Sequence, residues 1–192
     1  MRSHRHPCVW LETSGDLPCI SKVTHGPMPS PIAPSFHLEH VSWDDPRAVE
    51  LRRVMVVEMD LRYSVPGRAG NSDDINLALA VDPKDVRTTV LALDDDGTPI
   101  GHAALRSLRD ELEVRRVIVG SDQRGRGVGR RLMLELENIA RGDGARRIIL
   151  QTGTKQPESV AMYEKLGYTR IPVYEPYVAS MPNSLCFEKV LL

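Results

Sequence analysis

Between residues 117 and 132 the chain reads Val-Ile-Val-Gly-Ser-Asp-Gln-Arg-Gly-Arg-Gly-Val-Gly-Arg-Arg-Leu. A β-branched run favours a strand, and the Arg-Leu end leads into a helical pattern. The glycines at 125, 127 and 129 free the connecting backbone for close approach and for left-handed conformations. The first N–H groups of a helix have no partner inside it. Together with the helix dipole they form an anion site suited to a pyrophosphate. Arg124, Arg126 and Arg130 would add charge-assisted hydrogen bonds.

Two phosphate-binding loops fail to match. The Walker loop requires Gly-Lys-Ser/Thr, which is absent here. The dinucleotide fingerprint requires G-x-G-x-x-G, whereas the third glycine comes one residue early at Gly129. The loop also sits mid-chain after strands that read as antiparallel, so a dinucleotide enzyme ranks third among the readings, with NAD binding as its test.

Charge sharpens the reading. Residues 115–131 hold six arginines (Arg115, Arg116, Arg124, Arg126, Arg130 and Arg131) and one acid, Asp122, while the whole chain has a formal charge of -1. A local positive patch on a mildly acidic protein suits a small polyanion better than a duplex, although charge alone is equally compatible with a solvated helix face. No nucleic-acid partner is expected, because general nucleic-acid binding needs a basic surface. No apolar run approaches membrane-spanning length, and the 192 residues suffice for one core. Cys8, Cys19 and Cys186 cannot all pair with one another and form no CxxC. This points to a reducing, cytoplasmic setting without a disulfide framework. Cys186 reads as a small buried hydrophobe.

Residues 1–35 carry six of the 14 prolines and three of the six histidines. They are expected to form a disordered extension that Met28 could shorten. His4, His6, Cys8, Cys19 and His25 match no zinc spacing, and no metal is expected. The folded domain is expected over 36–192. Its elements read as a strand over 36–43, a proline-started helix over 47–62 and a loop over 64–76. Hairpin strands follow at 88–93 and 99–106, then a strand at 111–119 and, after the glycine loop, a helix ending at Gly142. A strand over 147–151, a helix over 157–166 capped by Gly167, and strands over 168–171 and 184–190 complete the chain. The order predicts an α/β fold with a mixed sheet, antiparallel early and with a later crossover.

The segment Arg124-Gly125-Arg126-Gly127-Val128-Gly129, following Val117-Ile118-Val119, closely resembles the Q/R-x-x-G-x-G/A acyl-CoA signature of the GCN5-related N-acetyltransferases. Met162-Tyr163-Glu164-Lys165-Leu166-Gly167-Tyr168 resembles that family's L-Y-x-x-x-G-F/Y helix end, in the matching order and separation. The resemblance covers roughly residues 36–192. It implies a central mixed sheet with antiparallel N-terminal strands and splayed strands four and five, flanked by helices. It implies acetyl-CoA as co-substrate and direct acetyl transfer to a primary amine of a small molecule or peptide. Val117, Ile118 and Val119 would hold the pantetheine arm as a neighbouring strand would. The amides from Gly125 through Val128 to Arg130 would hold the pyrophosphate. Gln156 stands where many members carry an Asn. The oxyanion would form near the amide of Val119 or Ile118.

Tyr163 is the expected general acid, able to protonate a departing thiolate because thiol and phenol reference pKa values, roughly 8.5 and 10, are close. Glu113 is the expected base, placed by period two on the same face as Val117 and Val119, with a water chain as the alternative; Glu111 shares that parity nearer the turn. The resemblance also implies substrate contacts from residues 58–63, 67–74 and 172–183, including Asp60, Arg62, Tyr63, Tyr174, Pro176 and Tyr177. Acids there would suit an ammonium and Arg62 a carboxylate. Exposed edge strands leave a homodimer open. A second reading, a non-catalytic acyl-CoA sensor with the same fold, would keep the glycine loop without needing Tyr163.

Overall fold

The computed structural model describes residues 35–64 and 71–191. The expected N-terminal extension, apart from Ser35, and positions 65–70 of the loop expected over 64–76, which include 67–70 of the expected substrate loop, lie outside the described residues. The elements are β1 (Phe36–Val41), α1 (Pro46–Tyr63), α2 (Asp73–Leu79), β2 (Val86–Asp94), β3 (Pro99–Leu108), β4 (Glu111–Val119), α3 (Val128–Gly142), β5 (Arg147–Thr152), α4 (Pro157–Lys165), β6 (Thr169–Ile171), α5 (Tyr177–Ser180) and β7 (Leu185–Val190). They build one seven-stranded sheet in the order β1-β2-β3-β4-β5-β7-β6, with β4 and β5 parallel and the other neighbours antiparallel.

Local chemistry sets the boundaries. Asp45 caps α1 by accepting the Arg47 amide at 2.8 Å, with Pro46 at the first helical position; proline suits that position because its missing N–H has no helical partner there. Gly97, at φ 83°, closes the β2–β3 hairpin. Gly167, at φ 85°, follows α4 and ends it as a left-handed residue can.

Strand alternation feeds two cores. Val90 and Ala92 join Leu132, Leu136 and Phe187 in the core beneath α3, while Leu91 and Leu93 pack with Ala48 and Leu51 beneath α1. In β4 this alternation is broken. His102 pairs with Ile118 and Ala104 with Arg115, so Ala103 faces two residues, Arg116 and Val117. This is a β-bulge, and Arg116 adopts φ 54° within it. The extra residue reverses the side-chain parity along the rest of the strand. Leu112, Val114, Val117 and Val119 all pack on the α3 core, whereas Ile118 joins the core under α1. Glu113 therefore faces the side opposite to Val117 and Val119. The expected shared face is corrected by the bulge.

The parallel seam is short: Leu112, Glu113 and Val114 pair with Ile148, Ile149 and Leu150. Beyond Val114 and Leu150 the pairing of the two strands ends, the splay that the family resemblance implies.

His102, fully buried, is held between two charges. Its Nδ1 donates to the Arg116 carbonyl at 2.7 Å, and its Nε2 accepts from Arg52 Nη1 at 3.1 Å. Burial, with the neighbouring Arg52 and Arg116 cations, pushes its pKa down to about 4. A histidine depressed in the folded state stabilises the fold above its unfolded pKa, roughly 6.5, and that contribution is lost as the pH falls toward the folded value. Stability is expected to fall by roughly 2 kcal/mol between pH 6.5 and 5. His102→Asn, which keeps a donor toward Arg116, should flatten that interval in urea melts. A wild-type slope retained by the variant would contradict the assignment.

Candidate active site

The glycine loop and the open edge of β4 bound a cleft of about 560 Å³. Val117, Ile118, Val119, Arg124, Gly125, Gly127, Val128, Gly129, Arg130 and Gln156 line it, so all but Arg126 of the expected acyl-CoA contacts face one space. Gly125 and Gly127 sit at φ 81° and 84° with open space where a Cβ would project. The left-handed backbone, rather than crowding, excludes side chains there. Gly127 is also the N-cap of the 15-residue α3, so the amides of its first turn face the loop. Gly129 answers a different demand: a Cβ there would lie 2.8 Å from the Met162 sulfur, so its absence lets α3 and α4 approach.

The six arginines do not form one patch. Arg124 Nη2 lies 2.8 Å from both oxygens of Glu58, which also accepts from Arg62 at 2.6 Å. Burial opposes the Glu58 charge, but these two guanidinium partners outweigh it and hold the carboxyl below its usual range. Arg126 turns away from the cleft to Gln123 and to Asp94, the latter 3.5 Å away. A phosphate-binding role for its side chain is therefore corrected, leaving its backbone in the loop. Arg115 is buried, and Arg115 and Arg116 both donate to the Leu79 carbonyl, at 2.8 and 3.0 Å.

A second cavity, about 190 Å³, adjoins the cleft and shares Met55, Met59, Val117 and Gln156 with it. Tyr163 lines this cavity. It is 5% exposed, its ring packs with Tyr168 and Phe187, and its hydroxyl forms no hydrogen bond among the described residues. Burial raises its pKa above the ordinary tyrosine value. Such a phenol holds its proton at neutral pH, and because burial widens its gap from a free thiol, proton transfer to sulfur requires the departing thiolate to be desolvated as well.

Glu113 has a different place. It is fully buried, accepting from Arg106 Nε at 2.6 Å on one oxygen and from the hydroxyls of Tyr174 and Tyr177 at 2.8 and 2.7 Å on the other. Arg115 Nη1 donates to the same Tyr177 hydroxyl at 2.5 Å. Glu113 does not line either cavity, and its two oxygens are committed to structure. Burial raises the pKa of Tyr174 and Tyr177 above the ordinary range. The two tyrosines expected at the substrate are thus brought to Glu113 instead.

The remaining substrate candidates divide. Asp60 and Tyr63 line the second cavity, the tyrosine hydroxyl also accepting the Lys155 amide at 2.9 Å. A Cβ at Gly153 would overlap that hydroxyl. Arg62 is held by Glu58 and Glu158, at 2.6 and 2.5 Å, and by the Lys155 carbonyl. Cys186 is buried, as expected. Among the described residues no three His, Cys, Asp or Glu side chains gather as a metal site, and no helix is long and apolar enough to cross a membrane. Sequence reading missed Arg116 as a cavity wall and His102 as its anchor; the Arg-Arg pair inside a strand was the available signal.

Comparison with known proteins converges on one family. The model of the acetyltransferase (GNAT) family matches residues 54–168. An IAA acetyltransferase of Azospirillum brasilense is 38% identical over 79 residues, 41% of this chain and 51% of that protein. The N-alpha-acetyltransferase RimI of Mycobacterium tuberculosis is 33% identical over 85 residues, 42% of this chain and 52% of that protein. The chain thus spans about half the length of these curated relatives. The PaiA N-acetyltransferase of Thermoplasma acidophilum, solved in complex with coenzyme A, shares the fold with a TM-score of 0.60 at 16% identity, over 81% of this chain and 99% of that one.

Proposed function

The chain belongs to the acetyltransferase (GNAT) family, and from that premise we propose that it moves an acetyl group from acetyl-CoA to the primary amine of a small molecule or peptide by direct transfer, in the cytoplasm. The observation that carries the reading is the meeting of the two cavities at Val117 and Gln156. One cavity has the features of an acyl-carrier cleft and the other is walled by a protonated phenol.

The residues of the cleft fit the carrier. The open loop at Gly125 and Gly127 leaves room for a diphosphate against the α3 N-terminus, with Arg124 and Arg130 alongside. The diverging edge of β4 leaves Val117, Ile118 and Val119 free of β5, so their backbone groups can pair with an extended arm. Acetyl-CoA supplies the activated acyl thioester. Holding both reactants at the junction removes much of the entropic barrier. Tyr163 delivers its proton to the departing sulfur. Glu113 is turned away from this cavity, so the amine proton passes to water at the mouth, beside the exposed Asp60. A sensor would need the cleft alone, and the second cavity with Tyr163 favours the enzyme.

Calorimetric titration tests this directly. Acetyl-CoA is expected to bind at one site, with NAD as a silent control. Gly127→Val, which forces a branched side chain into left-handed backbone at the N-cap, should weaken acetyl-CoA by at least about tenfold. Equal binding of NAD, or acetyl-CoA affinity untouched by Gly127→Val, would refute the assignment of the cleft.

A further inference from the structure

The charged residues lining the second cavity are Arg115, Arg116 and the exposed Asp60. Arg116 is half-buried, on the bulge that fixes its backbone at φ 54°. Its side chain donates to the Leu79 carbonyl, and no carboxylate lies within 4 Å of it among the described residues. Around it stand Arg52, Arg106 and Arg115. Arg52 spends its hydrogen bonds on the Trp43 carbonyl, at 2.6 Å, and on neutral His102, with its guanidinium over the Trp43 ring. Glu113 is the carboxylate of this group, and its oxygens are taken by Arg106, Tyr174 and Tyr177, with Arg115 3.9 Å away. The Arg115 Nε, also at the cavity wall, is buried without a partner.

Arg116 is thus a half-buried cation without a carboxylate partner among the described residues, and the like charges of Arg115, Arg52 and Arg106 stand near it. A carboxylate entering the cavity would give Arg116 the counter-charge that none of the described residues supplies. Building on acyl transfer as the reaction, we propose that the acceptor is an amine that also carries a carboxylate, a compact amino-acid-like molecule, and that Arg116 receives that carboxylate. Burial, together with the like charge of Arg115, lowers the Arg116 pKa to about 10, as expected for a cation awaiting its counter-ion. The planar guanidinium offers the forked pair of donors that a carboxylate matches. The volume, about 190 Å³, is below the roughly 300–1,000 Å³ of sites for drug-sized ligands, and suits a single small acid. Exposed Asp60 on the same wall faces the ammonium end. Arg62 cannot take this role, because Glu58 and Glu158 already neutralise it.

The test compares acids with amides. Purified full-length protein with CoA present is titrated with the N-acetyl derivatives of the standard amino acids, each against its carboxamide. Thiol release from acetyl-CoA is followed in parallel with the free amino acids and their amides. At least one acid is expected to bind about tenfold or more tightly than its amide. Arg116→Gln should bring that ratio to within about twofold, and Arg116→Lys should keep part of it. Acids binding no better than amides in the wild type overturns the proposal, as does a ratio that survives Arg116→Gln. If Arg116→Gln fails to fold, the wild-type ratio and Arg116→Lys decide. Carboxylate-selective binding without thiol release would support the Arg116 site and refute acyl transfer. Thiol release equally fast from acids and amides would do the reverse.

Discussion

Tyr163→Phe is expected to lower turnover about a hundredfold or more while acetyl-CoA affinity stays within about twofold, since a positioned general acid contributes roughly 10²–10⁴ to rate. The substitution removes one oxygen from a ring that otherwise keeps its packing against Tyr168 and Phe187. That hydroxyl forms no hydrogen bond among the described residues, so its loss should leave the melting temperature nearly unchanged. A stable variant with reduced turnover assigns the proton to Tyr163. A stable variant with full turnover on a true acceptor would remove Tyr163 from the chemistry and leave it as a core aromatic. Acceptors for which thiolate departure is the slow step should show the largest deficit, because the acid acts only there.

Glu113→Gln is expected to lower stability, by about 3–5 kcal/mol, because it leaves Arg106 and Arg115 buried without their counter-charge. For a domain of this size that corresponds to a fall in melting temperature of roughly 6–20 °C. The same experiment separates two roles for this residue. A structural carboxylate loses stability first, with residual turnover following the folded fraction. A general base would lose turnover in a protein that melts like the wild type, and that outcome would overturn the assignment of Glu113 to the buried network. The pairing of both carboxylate oxygens, at 2.6, 2.7 and 2.8 Å, argues for the former.

Much of the architecture is legible because its signals are local. The β2–β3 hairpin announces itself through Asp94 to Gly97, β4 through its β-branched run, and α3 through the glycines before it and after it. The cleft is partly legible for the same reason, since half of its lining comes from the continuous stretch 117–130, the rest being supplied by α1 and by residues 156–166. Three features resist such reading. The bulge at Arg116 adds one residue to a strand in which the Arg115-Arg116 pair is the one local sign of irregularity, and it moves Glu113 to the opposite face of the sheet. The four-residue α5, too short for a helical period, carries Tyr177 into the interior. The arginine-rich stretch is close in sequence but divided in space, since Arg115 and Arg116 turn together to the Leu79 carbonyl while Glu58 and Asp94, from other elements, draw Arg124 and Arg126 elsewhere. The wall of the second cavity is assembled from α1, α2, β4, β5 and α4, and such convergence is a property of the tertiary fold.

The three-residue seam between β4 and β5 joins a four-stranded half-sheet to a three-stranded one. Each half is otherwise a continuous antiparallel ladder, and α3 is the segment that links them in sequence while packing on β2, β3, β4 and β5. The cleft thus opens beside the shortest line of backbone pairing in the interior of the sheet, only the edge pair β6–β7 being equally short. A bound pantetheine chain lying along β4 would act as a temporary rung across that line. Occupancy and mechanical integrity would then rise together, because anything that binds only the closed ladder stabilises it by mass action. Such a protein would be hardest to pull apart, and slowest to exchange the amides of Leu112 to Val114, when its carrier is abundant.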